Sequence, residues 1–165
     1  GDKATGYKAL AFHAVNSDFP IFDDIQKFVV DRGKAAGAGD QIGTVLYNRG
    51  MYNAMLITEA ARTAQAIAGK SNISQADMIK GFEALEMTEE KMAALGLPGF
   101  GPSFSVSCEN HGGDGMVAVA QWDAGAGKWS IVSDFQASDM SVIQPLIDAD
   151  SGAFASENNL SPNCN

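Results

Sequence analysis

The chain has only two histidines, His13 and His111, and two cysteines, Cys108 and Cys164, so candidate chemistry is confined to a few places. His111-Gly112-Gly113 has the form of a loop that presents backbone amides to an oxyanion, as in esterases. That chemistry needs a nucleophile, and no Gly-x-Ser-x-Gly elbow occurs in the chain, so the motif reads as a glycine-rich connection between strands. Glu109, His111 and Asp114 are hard or borderline ligands for a divalent cation. Their spacing follows no known metal pattern, and a polar loop of this kind is explained by solvation, so no metal ligand is assigned. His13 lies in an apolar run and reads as a hydrogen-bonded core or strand-end residue rather than a base. Gly37 and Gly39 follow a helical pattern, whereas a dinucleotide fingerprint needs a strand before its glycines. The acidic pairs Asp23-Asp24 and Glu89-Glu90 fall in first helical turns, where the helix dipole accounts for them. No catalytic residue, enzymatic activity or cofactor is expected.

The stretch from Val45 to Gln65 is the better candidate for a binding role. Leu46, Tyr47 and Asn48 stand where the longest helical pattern begins, and a helix start offers free amides to an anionic group. The competing reading packs Tyr47 in the core and uses Asn48 as a cap. Cys108 and Cys164 are too far apart for a metal knuckle. In an oxidising compartment they would close a loop of about 55 residues, worth on the order of 4 kcal/mol. In the cytosol they would stay thiols, but sparse cysteine usage and the tail position of Cys164 favour the bridge.

The elements that would position these residues follow from periodicity. Tyr7 to Ala14 looks like a buried strand. Asp18 and Pro20 open a helix whose Ile21, Phe22, Ile25, Phe28 and Val29 share a face, and Gly33 closes it. A glycine-rich loop, 33–43, leads to a helix over 49–68 with small residues Ala54, Ala61, Ala64 and Ala68, which admit a close neighbour. Ser74 and Asp77 form a capping box for the next helix, striped by Ile79, Phe82 and Leu85. Thr88 caps a short helix stapled by Met87 and Met92 and stopped by Gly96 and Pro98. The period then falls to two: Phe104, Val106 and Cys108 alternate with serines, and Met116 to Trp122 and Lys128 to Phe135 complete an antiparallel meander. A last helix begins near Pro145, carries Leu146, Ile147 and Phe154, and ends in an Asn-rich tail. Methionines and aromatics on the helices are assigned to the core.

The 165 residues carry a formal charge of -9, which repels nucleic-acid phosphates, and no apolar run reaches the roughly 20 residues of a membrane span. No basic stretch followed by an apolar segment opens the chain as an export signal would.

Tyr7-Lys8-Ala9-Leu10-Ala11-Phe12-His13, Asp18-Phe19-Pro20, Val45 to Gly50, Asn53 to Leu56 and Glu59 to Ala64 together resemble the branched-chain amino-acid binding proteins of ABC importers. Cys108 to His111, Gln121-Trp122-Asp123 and Trp129 resemble the C-terminal half of that leucine-binding-like family. The resemblance implies a type I periplasmic-binding-protein fold of two α/β lobes, of which this chain would be an incomplete, C-terminal portion. Residues 1–16 would end a second-lobe strand and enter the hinge, 17–100 would be the helical part of the first lobe, and 101–165 would return to the hinge and second lobe. It implies a non-catalytic, periplasmic or extracellular solute-binding protein. Tyr47, flanked by Leu46 and Asn48, would lie against an amino-acid ligand. An ABC permease, and the missing lobe or a second copy of the chain, would be its partners. The alternative is a sensory module of the same fold. A chain lacking half of a two-lobe molecule should expose apolar helix faces or bury them by association.

Overall fold

The structure, a computed structural model, describes residues 2–37, 39–161 and Cys164. Ala38 of the expected glycine-rich loop and Asn163 of the expected tail lie outside the described residues. The architecture is mixed α/β with antiparallel sheets, in agreement with the expected class. The order is β1 (Lys8–Ala11), α1 (Pro20–Ile25), α2 (Val45–Ala68), α3 (Gln75–Glu83), β2 (Glu86–Met87), α4 (Glu89–Ala94), β3 (Phe104–Ser105), β4 (Met116–Asp123), β5 (Lys128–Ile131), β6 (Gln136–Ala137) and α5 (Met140–Glu157).

Local chemistry explains most boundaries. Phe19 is extended before Pro20, whose fixed φ suits the first helical position. Beyond α1 the chain continues through a π-helical turn, Gln26–Val30, closed by the Asp31 amide donating to the Gln26 carbonyl at 2.9 Å. The wider turn displaces the expected apolar stripe. Phe22 is buried, but Phe28 and Val29 face outward, with Lys27 and Arg32 each about 5.0 Å from the Phe28 ring centre. The Ser74–Asp77 capping box forms as expected, and Lys70 adds an ion pair to Asp77 at 2.9 Å. Together these hold the Asp77 carboxyl well below its ordinary range, led by the Ser74 amide.

The main core lies between the helices. Phe22, Tyr52, Met55, Leu85, Met87, Met92, Leu97 and Phe100 are buried together, so the assignment of methionines and aromatics to the core holds for these positions. The staple pair Met87 and Met92 is among the most buried, and the chain beyond α4 turns through Gly96 (φ 79°). Helix α3 approaches α2 through Gly81, where an added Cβ would overlap the Ala60 carbonyl and come within 2.7 Å of the Ala64 Cβ. Of the small residues expected to admit a neighbour, Ala64 does so; its companion at the contact is Ala60, while Ala54 is exposed and Ala61 and Ala68 are only partly buried.

The sheet is smaller than the period-two pattern suggests. Strand β4 is central, pairing with β1 through Leu10 and Val119, with β5 through Trp122 and Trp129, and with β6 through Val117 and Gln136. Asp123 builds the β4–β5 turn by accepting hydrogen bonds from the amides of Gly125 (2.9 Å) and Ala126 (3.0 Å). Three expectations are corrected here. The run Tyr7 to Ala14 is not a buried strand, since β1 covers four residues and both Tyr7 and Leu10 are exposed. The alternating segment after Pro98 is no long strand. Only Phe104–Ser105 pairs, with β2, because its partner is the short link between α3 and α4. Helix α5 starts at Met140, capped by Asp139, and takes Pro145 into its interior. A proline's missing N–H is harmless only in the first turn, so the sequence favours a start near Pro145, whereas the helix begins five residues earlier.

Candidate functional site

The start of α2 is held by Thr44, which carries no expectation from the sequence, and by Asn48 in another role than the one expected. Thr44 is the N-cap, its hydroxyl oxygen accepting from the Tyr47 amide at 3.4 Å. That displaces Asn48 from the capping role. Asn48 is fully buried, and its amide nitrogen donates to the Asn16 carbonyl at 2.9 Å and more weakly to that of Ala14 at 3.4 Å. It thereby ties the exit from β1 to α2 across 32 residues of sequence. Tyr47 is half-buried against the main core, its ring 6.3 Å from that of Phe22. Leu46 is the member of the trio that faces out, 76% exposed.

Leu46 lines an open cleft of about 990 Å³ between the start of α2 and the β4–β5 hairpin, whose far wall includes Trp122, Trp129 and Phe135 with Lys128. Neither Tyr47 nor Asn48 lines it. The cleft combines aromatic surface, a lysine and the amide-rich end of a long helix, a lining suited to contact with another molecule.

His13 closes the other side of the Asn48 junction. Its Nδ1 donates to the Ala14 carbonyl at 2.7 Å, and its ring stacks on Phe100 with centroids 5.2 Å apart. The expected core role for His13 therefore holds. Burial lowers its pKa, the Ala14 hydrogen bond opposes that shift, and nearby Arg49 adds to it. The buried atoms His13 Nε2 and Asn48 Oδ1 lack a hydrogen-bond partner among the described residues.

The second candidate region surrounds His111. A largely apolar hollow of about 490 Å³ lies between α2, α3 and the loop after β3, with Leu56, Ile79, Phe82 and Phe104 in its wall and Glu83 and His111 among its polar lining. The His111 Nε2 sits 3.5 Å from a Glu83 carboxylate oxygen. Cys108 completes a cluster in which one ligand atom from each residue lies within 4.8 Å of the others. The sulfur of Cys108 is bonded to Cys164, so the expected disulfide is present. Of the trio Glu109, His111 and Asp114, only His111 reaches this cluster. Glu109 instead accepts a hydrogen bond from the Ser107 hydroxyl at 3.0 Å. Glu83 carried no signal in the sequence, because it sits at the end of α3, 28 residues before His111, and only the packing of the loop against that helix joins them.

The chain matches no protein-family model and no curated protein. It is similar to a solved structure of an ABC transporter permease from the Pseudomonas fluorescens group, with 34% sequence identity and a TM-score of 0.89. The match covers 100% of this chain and 40% of that one, so the chain spans well under half of that neighbour's length. The finding retains the link with ABC transporters and overturns the finer identification. The similar protein is a permease, not a branched-chain amino-acid binding protein, and the sensory alternative finds no support either. The physical reason lies in the residues that carried the resemblance. His13, Asn48, Met55, Glu59, Ala60 and Ala64 are buried packing and junction residues, which specify how elements meet and not which molecule is bound.

Proposed function

We propose that this chain is a folded, non-catalytic portion of an ABC transporter protein of the permease kind, acting as an interaction surface within the transporter. The observation that carries this reading is the match along the whole chain at 34% identity and a TM-score of 0.89. Two features support a surface role. The cleft beside Leu46 is lined by aromatics and a lysine without a nucleophile–base pair. Helix α5 buries none of its residues and presents Val142, Ile143, Leu146, Ile147 and Phe154 outward, an apolar area that calls for a cover. A neighbour whose chain extends well beyond the matched 40% suggests further polypeptide of the same transporter as that cover. The Cys108–Cys164 disulfide supports an oxidising, extracytoplasmic location for this portion. No helix of the described residues is long and apolar enough to cross a membrane.

The test is purification of the tagged full-length protein from membranes of its native host in mild detergent. Co-elution with an ATP-hydrolysing subunit and recovery of ATPase activity are expected. Recovery of the protein alone under conditions that keep other transporters intact would remove the reading.

A further inference from the structure

We infer that the cluster Glu83, Cys108 and His111 is a redox-gated site for a soft or borderline divalent cation such as Zn²⁺, closed while Cys108 is bonded to Cys164 and opened by reduction of that bond. The three donors are a carboxylate, a sulfur and an imidazole, the ligand types zinc takes. They come from three places in the chain: the last residue of α3, the segment after β3, and the loop preceding β4. With zinc–ligand bonds of about 2.0 to 2.3 Å, tetrahedral donors stand roughly 3.5 Å apart. The His111 Nε2 and Glu83 Oε1 atoms already stand 3.5 Å apart, and the sulfur lies within 4.8 Å of both ligand atoms. Closing the remaining gap takes about 1 Å of movement, by the same geometry. His111 is exposed and followed by Gly112 and Gly113, so its loop can supply that movement.

In the disulfide the Cys108 sulfur is neutral and a poor ligand, because the thiolate is the metal-binding form. A dithiol reductant exchanges with the Cys108–Cys164 bond. The two cysteines gain two electrons and two protons, and the reductant leaves as its own disulfide. Cys108 then releases its proton to solvent as the cation binds. Metal and disulfide are thus mutually exclusive at this sulfur. Reduction unties Cys164 from the loop, and occupancy then shields Cys108 from re-oxidation.

The experiment titrates Co²⁺, and Zn²⁺ in competition with a chromophoric chelator, into four proteins kept in a non-chelating phosphine, and into the oxidised chain. The four are the reduced wild type, Cys164→Ser, Cys108→Ser and His111→Ala. Reduced wild type and Cys164→Ser should each bind one equivalent with a sulfur-to-cobalt charge-transfer band. The oxidised chain and Cys108→Ser should lack the band. Outer-shell changes at zinc sites cost about 10- to 100-fold in affinity, so loss of the imidazole ligand in His111→Ala should cost at least about 10-fold. Cys108→Ser and Cys164→Ser lose the same disulfide, so a difference between them cannot come from unfolding, and circular dichroism of both checks this. Equal binding by the two cysteine variants, full affinity in His111→Ala, or no binding by reduced wild type would each overturn the inference.

Discussion

Asn48 shows how much a single polar side chain can carry in this chain. It is wholly buried, and its hydrogen bonds to the backbone after β1 are the polar link between that segment and α2. Asn48→Ala removes the donor to the part-buried Asn16 carbonyl, while the Ala14 carbonyl keeps its bond from His13, so a loss of about 1 to 2 kcal/mol in unfolding free energy is expected by denaturant titration. A change near zero would mean that water replaces the amide. His13, which shares the Ala14 carbonyl with Asn48, gives stability a pH dependence whose sign is fixed. Its folded pKa lies below the unfolded value of 6.5, so the unfolded chain takes up a proton first. Stability is therefore level with respect to His13 above pH 6.5 and falls as the pH drops below it. Melting curves from pH 7.5 to pH 5 should show that fall, and His13→Phe should reduce it. Tyr47 and Asn48 looked alike in sequence, as amphipathic groups at a helix start. Their fates diverge because the helix begins at Val45 behind the Thr44 cap, which turns Asn48 inward, sets Tyr47 against Phe22 and leaves Leu46 outside.

Among elements, the α2–α3 contact is the most constrained. Gly81 sits against the backbone of Ala60, leaving no room for a methyl group. Alanine is favoured over glycine in a helix by about 1 kcal/mol, but overpacking against backbone costs typically 1–3 kcal/mol. Gly81→Ala should therefore lower the melting temperature, and a rise would show that α3 can slide away from α2. The capping box before α3 was legible because its signal is local: two side chains three residues apart and their own backbone. The limits of α5 and of the segment after Pro98 were not. A strand needs a partner, and the partner of Phe104–Ser105 is a two-residue link that no period announces.

For the molecule as a whole, the outward face of α5 is the decisive feature. Exposed apolar area of this kind favours association, so light scattering should show the chain's mass rising with concentration, and Leu146→Glu with Ile147→Glu should suppress the rise. A monomer at all concentrations would show that the face is tolerated in water. The disulfide bears on the same region, joining the loop after β3 to the segment beyond α5. Because α5 buries none of its own residues, reduction should increase hydrogen exchange across 140–160 well before it loosens the core around Phe100 and Met92. Equal loss of protection in both regions would place α5 within the cooperative unit.

The sequence by itself determined what rests on neighbours along the chain: the helical stretches, the capping box, the β4–β5 hairpin, the methionine-rich core and an acidic surface unsuited to nucleic acid. It also placed the chain near ABC transporters, since packing motifs persist across related folds. Only the tertiary structure decided that Asn48 is a buried tie, that His111 meets Glu83 and the disulfide, and that α5 lies uncovered. Each of these depends on contacts between residues 28 or more positions apart, or on the absence of such contacts, and hydrophobic period carries no record of which distant surface a side chain will meet.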